Sequence, residues 1–296
     1  MPNATPDPVR EEPTIGRLSG GVYFAVAVTI GLLCWLYSPV FKWWYGMWNA
    51  EESYYSHGIL VLPISLFIVW LKRDQILKVP IRPYPLGYLG LVPVLMLVIL
   101  ATWANAQSRG LSFPITLGLL VLILLGKRMA KELAFPIGYL FFMCVLPTFI
   151  LTKASFGIQM LSTAGATVLL KLIGLEAFRQ GAMISLPNID VLVGSPCSGF
   201  RLLISLFAFS VLFVYLKEGP LWGRLTLVAF TLPLSVLLNC LRIMMIALVG
   251  EYMGGDAMHA FHDYSGYIVL VLAFVVLSYS ARFVKCRKFN SMLIPS

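Results

Sequence analysis

Cys197 stands in the string Val193-Gly194-Ser195-Pro196-Cys197-Ser198-Gly199-Phe200-Arg201, where glycine, serine and proline end a loop and a long apolar run begins. Proline is favoured in the first turn of a helix. A thiol just after it faces unpaired backbone N–H groups and the positive end of the helix. Both favour the thiolate, the nucleophilic form of cysteine. The string fits a small buried residue at a tight turn equally well. Cys34, Cys144 and Cys240 fall inside apolar runs, where a thiol behaves as a small hydrophobe, and Cys286 lies in a basic tail. Cys197 has no evident cysteine partner, so a disulfide is not expected. No CxxC or Cys/His pair at metal-ligand spacing occurs, so neither a metal nor another cofactor is expected.

Two further groups are chemically unusual for their surroundings. Arg242, in Asn239-Cys240-Leu241-Arg242-Ile243, sits inside an apolar run that continues to about Val249. A guanidinium at that depth costs about 2–3 kcal/mol on insertion scales and needs a partner. Asn239, three residues earlier, shares its helix face. Snorkelling to the headgroups is the alternative explanation. His262 begins His262-Asp263-Tyr264-Ser265-Gly266 at the mouth of the last apolar run, with His259 a turn or less before it. Taken alone, these two read as solvated loop histidines. The third histidine, His57, opens the second run in Tyr55-Ser56-His57-Gly58.

The elements that must position these groups are membrane helices. Hydrophobic residues make up 59% and charged residues 12% of the 296, and the mean hydropathy is +0.86, whereas a soluble domain is about one quarter charged. Apolar runs long enough to approach a bilayer crossing recur at 22–41, 59–71, 86–103, 114–125, 133–151, 200–216, 225–249 and 264–283, an all-α polytopic architecture of about eight spans. Aromatics cluster near run ends, as at Phe41, Trp43, Trp44, Tyr45 and Trp48. The net charge of +9 does not point to nucleic acid. With the N terminus inside, fifteen Lys and Arg fall in cytosolic segments and five in outer ones, the positive-inside bias. Both termini are then cytosolic.

The first twenty residues, polar and proline-rich, are expected to form a disordered cytosolic tail, and 285–296 a basic one, flanking a membrane domain over 21–284. No cleavable signal peptide is evident. An outer insertion occupies about 153–196. In its first part Ser155, Gln159, Ser162, Thr163, Thr167 and Lys171 recur at helical spacing, predicting an amphipathic helix on the outer surface. A ninth span with a polar inward face is the alternative. In its second part Ile184, Leu186, Ile189, Val191 and Val193 alternate loosely around Pro187-Asn188, which predicts a short strand pair with a turn. With this topology three successive antiparallel spans bring Cys197, Arg242 and His262 to one leaflet, on helices about 8–10 Å apart.

Three other classes compete with thiol chemistry. A transporter would need intramembrane carboxylates or repeated halves, and no Asp or Glu falls inside an expected span. A lipid-linked glycosyltransferase of envelope polysaccharide synthesis commonly needs paired carboxylates, and among the outer acids only Glu51 and Glu52 are adjacent. A structural scaffold gives no reason for Arg242.

The strings Pro196–Arg201, Asn239–Ile243 and His262–Gly266, with Tyr55–Gly58 near the second span, resemble the exosortase/archaeosortase family of membrane cysteine transpeptidase-like proteases. The resemblance implies Cys197 as nucleophile, with Arg242 and His262 completing the site. Tyr267, where bacterial members often carry Trp, is a mild departure. Arg201, Asn239, Ser198, His259 and His57 are then expected to bind substrate or support the three. The implied partners are the lipid bilayer and membrane-anchored proteins with a C-terminal sorting signal. That signal comprises a Pro-containing motif (the PEP-CTERM type), a membrane helix and a basic tail. An acceptor amine is left open. The implied location is the cytoplasmic (inner) membrane, with the reaction on its periplasmic or extracellular side.

Overall fold

The computed structural model describes residues 20–50, 53–104, 106–194, 199–286 and 288–289. Cys197, Ser198 and most of the two expected tails lie outside the described residues. Among the described residues ten α-helices follow in order: α1 (Gly20–Asn49), α2 (Gly58–Leu71), α3 (Arg73–Ile76), α4 (Tyr88–Ala104), α5 (Ala106–Leu125), α6 (Lys127–Tyr139), α7 (Thr148–Leu172), α8 (Phe200–Leu216), α9 (Leu221–Met253) and α10 (Gly255–Ser280). Strands β1 (Phe178–Gln180), β2 (Met183–Ser185) and β3 (Asp190–Leu192) lie between α7 and α8.

The architecture is that of a helical membrane protein. Residues 23–49 of α1, α9 and α10 are each long and apolar enough to cross a bilayer, while α2, 85–100, 109–125 and α8 are apolar but shorter. Pro39, Pro63, Pro93, Pro114, Pro136 and Pro233 all sit inside helices, a placement that helices in lipid tolerate because neighbouring groups re-satisfy the freed carbonyls.

The expected span at 133–151 is not one helix. α6 ends at Tyr139, a 3-10 turn carries Leu140–Met143, and Cys144 is extended at φ −77°, ψ 130°. α7 then starts after Pro147, and the Leu146 N–H at the break donates to the Tyr55 phenol at 3.1 Å. Pro147 is the N-cap of α7 and biases Leu146 toward extended backbone, which keeps α7 from continuing back into the 3-10 turn.

The described chain forms two compact units, one reaching to Trp44 and resuming over Leu60–Cys144, the other containing Tyr45–Ile59 and everything from Val145 onward. In the first, the Tyr37 hydroxyl bonds Ser112 Oγ at 2.8 Å and Thr116 Oγ1 at 2.9 Å, and the buried Lys72 donates to Glu132 Oε2 at 2.6 Å. The second carries every candidate group of the sequence reading, and the remaining description concerns it.

Within that unit α8, α9 and α10 share a core of Leu206, Leu227, Leu234, Leu238, Ala273 and Leu277. α7 packs on α9 through a close approach: a Cβ on Gly165 would stand 2.5 Å from Cys240 Sγ. The polar stripe expected on 153–175 is the inward face of α7. Ser155, Ser162, Thr163 and Thr167 are buried, while Phe149, Phe156, Leu161, Val168 and Leu172 are exposed. Thr163 and Thr167 satisfy their hydroxyls on carbonyls four residues back, each at 2.8 Å.

The strand pair expected around Pro187-Asn188 is present as β2 and β3, with Ile184 opposite Val191 in antiparallel register. β1 joins β2 on the other side, giving the order β1-β2-β3. β1 was not legible, since Phe-Arg-Gln has neither alternation nor β-branching. The sheet's inner face, Ile184, Leu186, Val191 and Val193, packs on Ala166 and Leu170 of α7 and on Ile243 and Ala247 of α9.

Gly165→Ala should lower thermal stability in detergent by about 1–3 kcal/mol through overpacking. Adding Cys240→Ala removes the colliding sulfur and should restore most of the loss. Equal melting temperatures for Gly165→Ala and the parent would show that α7 and α9 are not this close.

Candidate functional site

Arg242 lies eleven residues before the end of α9, so it is about three turns from the helix terminus. It is half-buried, and its guanidinium is committed. Nε donates to Ser265 Oγ at 2.9 Å, Nη2 donates to the His262 carbonyl at 3.2 Å, and Ser265 Oγ donates to that same carbonyl at 2.9 Å. The buried Ser265 and Gly266 face the guanidinium, and a Cβ on Gly266 would stand 3.6 Å from Arg242 Nη2. A charge costly to insert is thereby paired across two helices instead of reaching for headgroups.

α10 begins at Gly255, nine residues before the expected span, because Gly254 takes a positive φ of 87° and ends α9. His259 and His262 therefore stand on the first two turns of a helix, not in a loop. The His262 imidazole is one-third exposed, with Nδ1 3.3 Å from Asp263 Oδ1. Both histidines line a cavity of about 230 Å³ with Ile243, Ile246 and Met258, and residues 191–194 form its opposite wall.

Asn239 is fully buried one turn before Arg242. It touches the start of α8: Gly199 has a φ of +83°, and a Cβ there would lie 2.7 Å from Asn239 Nδ2. Only glycine meets both demands, a left-handed backbone and this approach. Gly199 is two residues after Cys197 in the chain. Arg201 sits half-buried on the first turn of α8.

His57 is joined to α8. Its Nδ1 lies 3.3 Å from Ser205 Oγ. The neighbouring Tyr54 ring meets Phe200 edge-on at 5.5 Å, and its hydroxyl bonds Ser155 Oγ at 2.9 Å. The early Tyr55–Gly58 string thus stands against the helix that follows Cys197.

Four groups that sequence reasoning missed complete the surroundings. Ser265 and Ser205 carry no signal in isolation, because a serine in a helix has many uses. Glu251, buried near the end of α9, accepts from the Asn188 backbone N–H at 3.1 Å and from Asn188 Nδ2 at 2.6 Å, clamping the β2–β3 turn. Gln159 on α7 donates from Nε2 to the Val193 carbonyl, which holds the chain leaving β3. Outside the membrane core, burial raises the Cys286 thiol pKa, and the nearby Arg224 charge opposes that rise.

The arrangement offers a fixed cation, an adjacent imidazole that is one-third exposed and a cavity reached by both histidines. The family model described as transmembrane exosortase (Exosortase_EpsH) matches residues 43–279. No curated protein and no solved structure matched the chain.

Ser265→Ala leaves the Arg242 Nε–H without its acceptor and should destabilise the protein by about 1.5–3 kcal/mol, the range for hydrogen bonds to charged groups. Thermal unfolding in detergent checks this, and an unchanged melting temperature would show that the guanidinium is held elsewhere.

Proposed function

The chain belongs to the transmembrane exosortase family, and on that premise we propose that it is a membrane-embedded cysteine transpeptidase or endopeptidase that cleaves C-terminal sorting signals of exported proteins. In this reading it crosses the cytoplasmic membrane about eight times, keeps both termini in the cytosol and acts at the outer face. Residues 21–284 form the catalytic domain. The observation that carries the reading is the contact of Gly199 with Asn239, one turn from Arg242. It brings the chain adjoining Cys197 to the helix that bears the guanidinium.

The reaction runs as acyl transfer. The Cys197 thiolate attacks the scissile carbonyl, and the C–N bond breaks to leave a thioester. Arg242, with backbone N–H groups at the start of α8, stabilises the oxyanion. His262 gives its proton to the leaving amine and then takes one from water or an acceptor amine. With Nδ1–H donated to Asp263, as the 3.3 Å spacing allows, Nε2 is the working atom. Asn239 holds the first turn of α8, and Arg201, Ser198, His259 and His57 act as supporting or substrate-binding groups.

Cys197→Ala should be inserted in membranes at parent levels and leave a sorting-signal fusion uncleaved on immunoblots. Arg242→Lys keeps the charge but loses the Nε–H to Ser265 and the planar fork, so processing should fall by about a hundredfold or more. Normal processing by Cys197→Ala would end the proposal. Mass spectrometry of the new C terminus separates hydrolysis from transfer to an amine.

A further inference from the structure

β3 is an outer strand of its sheet, paired with β2 on one side only. The register determines what its other side offers. The Leu186 N–H donates to the Ile189 carbonyl at 2.9 Å, and the Val193 N–H donates to the Ala182 carbonyl at 3.0 Å. Residues 189, 191 and 193 therefore turn their backbone groups toward β2. In an antiparallel ladder these alternate, so the N–H and C=O of Asp190 and Leu192 face the open edge. Among the described residues neither backbone group of Leu192 has a partner.

Open edges are normally blunted by charge, proline or a bulge. Here the exposed Asp190 and a leucine that is 72% exposed share the edge, with buried Val191 between them. A second, independent observation lies beside it. Residues 191–194 form one wall of the cavity whose far wall carries His259 and His262. The strand is also held from behind at both ends, by Glu251 on the Asn188 turn and by Gln159 on the Val193 carbonyl. The chain then runs three residues from Gly194 to Cys197.

We propose that β3 is the receiving strand for the substrate polypeptide. The extended segment just before the substrate's membrane helix adds to Asp190–Leu192 as a fourth strand. Main-chain hydrogen bonds on Leu192 give affinity, and side chains alternate between the cavity and solvent, which gives selectivity. The identity of the polypeptide rests on the proposed cleavage reaction; the mode of pairing rests on the edge and the cavity.

The test uses full-length Cys197→Ala protein in membranes, carrying Leu192→Cys. The probe is an exported fusion ending in a Pro-containing motif, an apolar helix of about 20 residues and a basic tail. Single cysteines are stepped through the residues before that helix, and disulfide yield after oxidation is measured against the parent without Leu192→Cys. Yields should alternate with a period of two, neighbours differing by about fivefold or more, as strand geometry requires. In the chain with Cys197 intact, Leu192→Pro deletes the outward N–H and also fixes φ at that position, and Leu192→Ala controls for loss of the side chain. It should lower kcat/KM about tenfold more than Leu192→Ala does.

A helical period, flat yields, or Leu192→Cys linking two copies of this chain instead of the fusion would overturn the proposal. So would equal effects of the two Leu192 substitutions. Processing of the fusion by the Cys197-containing chain is read separately. Alternating yields without processing would remove the reaction and keep the strand; processing without alternation would do the reverse.

Discussion

The second unit depends on how one positive charge is accommodated inside apolar helices. Arg242 cannot be left bare at its depth in α9, and its partners come from α10: the Ser265 hydroxyl and the His262 carbonyl. Two directional bonds to residues three apart on one helix set both the rotation and the height of α10 against α9. They decide where the His262 side chain emerges, because its own carbonyl is one of the acceptors. On the same face of α9, one turn back, Asn239 receives Gly199 at the start of α8. A single helical stripe thus orders both neighbouring helices.

The sheet does a related job for the chain that enters α8. Its buried face is apolar and sits on α7 and α9, which sets its height but not its direction, since hydrophobic contact is non-directional. Direction comes from Glu251 gripping the Asn188 turn and from Gln159 gripping the Val193 carbonyl. Both grips are polar groups from helices, placed where the strand ends would otherwise swing. The chain is therefore held at Val193, in the sheet, and at Gly199, on Asn239.

Much of this was legible in the residue pattern. The apolar runs gave helices, the alternation at 184–193 gave β2 and β3, and Arg242 meets the His262–Gly266 string while Gly199 meets Asn239. What failed did so for identifiable reasons. Proline does not mark breaks reliably in apolar runs, because Pro136 and Pro233 sit within helices while Pro147 stands just before the start of one. The start of α10 was placed late because His259 to Asp263 is too polar to look like a span, although Gly254 gave the true boundary. The polar stripe on α7 was visible from spacing, but spacing alone does not say which side is inward when apolar surface is tolerated outside. Ser265 was unreadable for a different reason: its role exists only relative to Arg242, 23 residues away.

The floor beneath the sheet has a consequence for the order in which the protein is made. Residues 178–192 are synthesised immediately after α7, yet half of their buried contacts, at Ile243 and Ala247, and the Glu251 clamp belong to a helix translated some fifty to seventy residues later. Until α9 is in place the hairpin has an uncovered greasy underside and an ungripped turn. Ribosomal elongation therefore delivers the strand well before the helix that must hold it. The hairpin's seat is complete only once the chain has been made through Glu251.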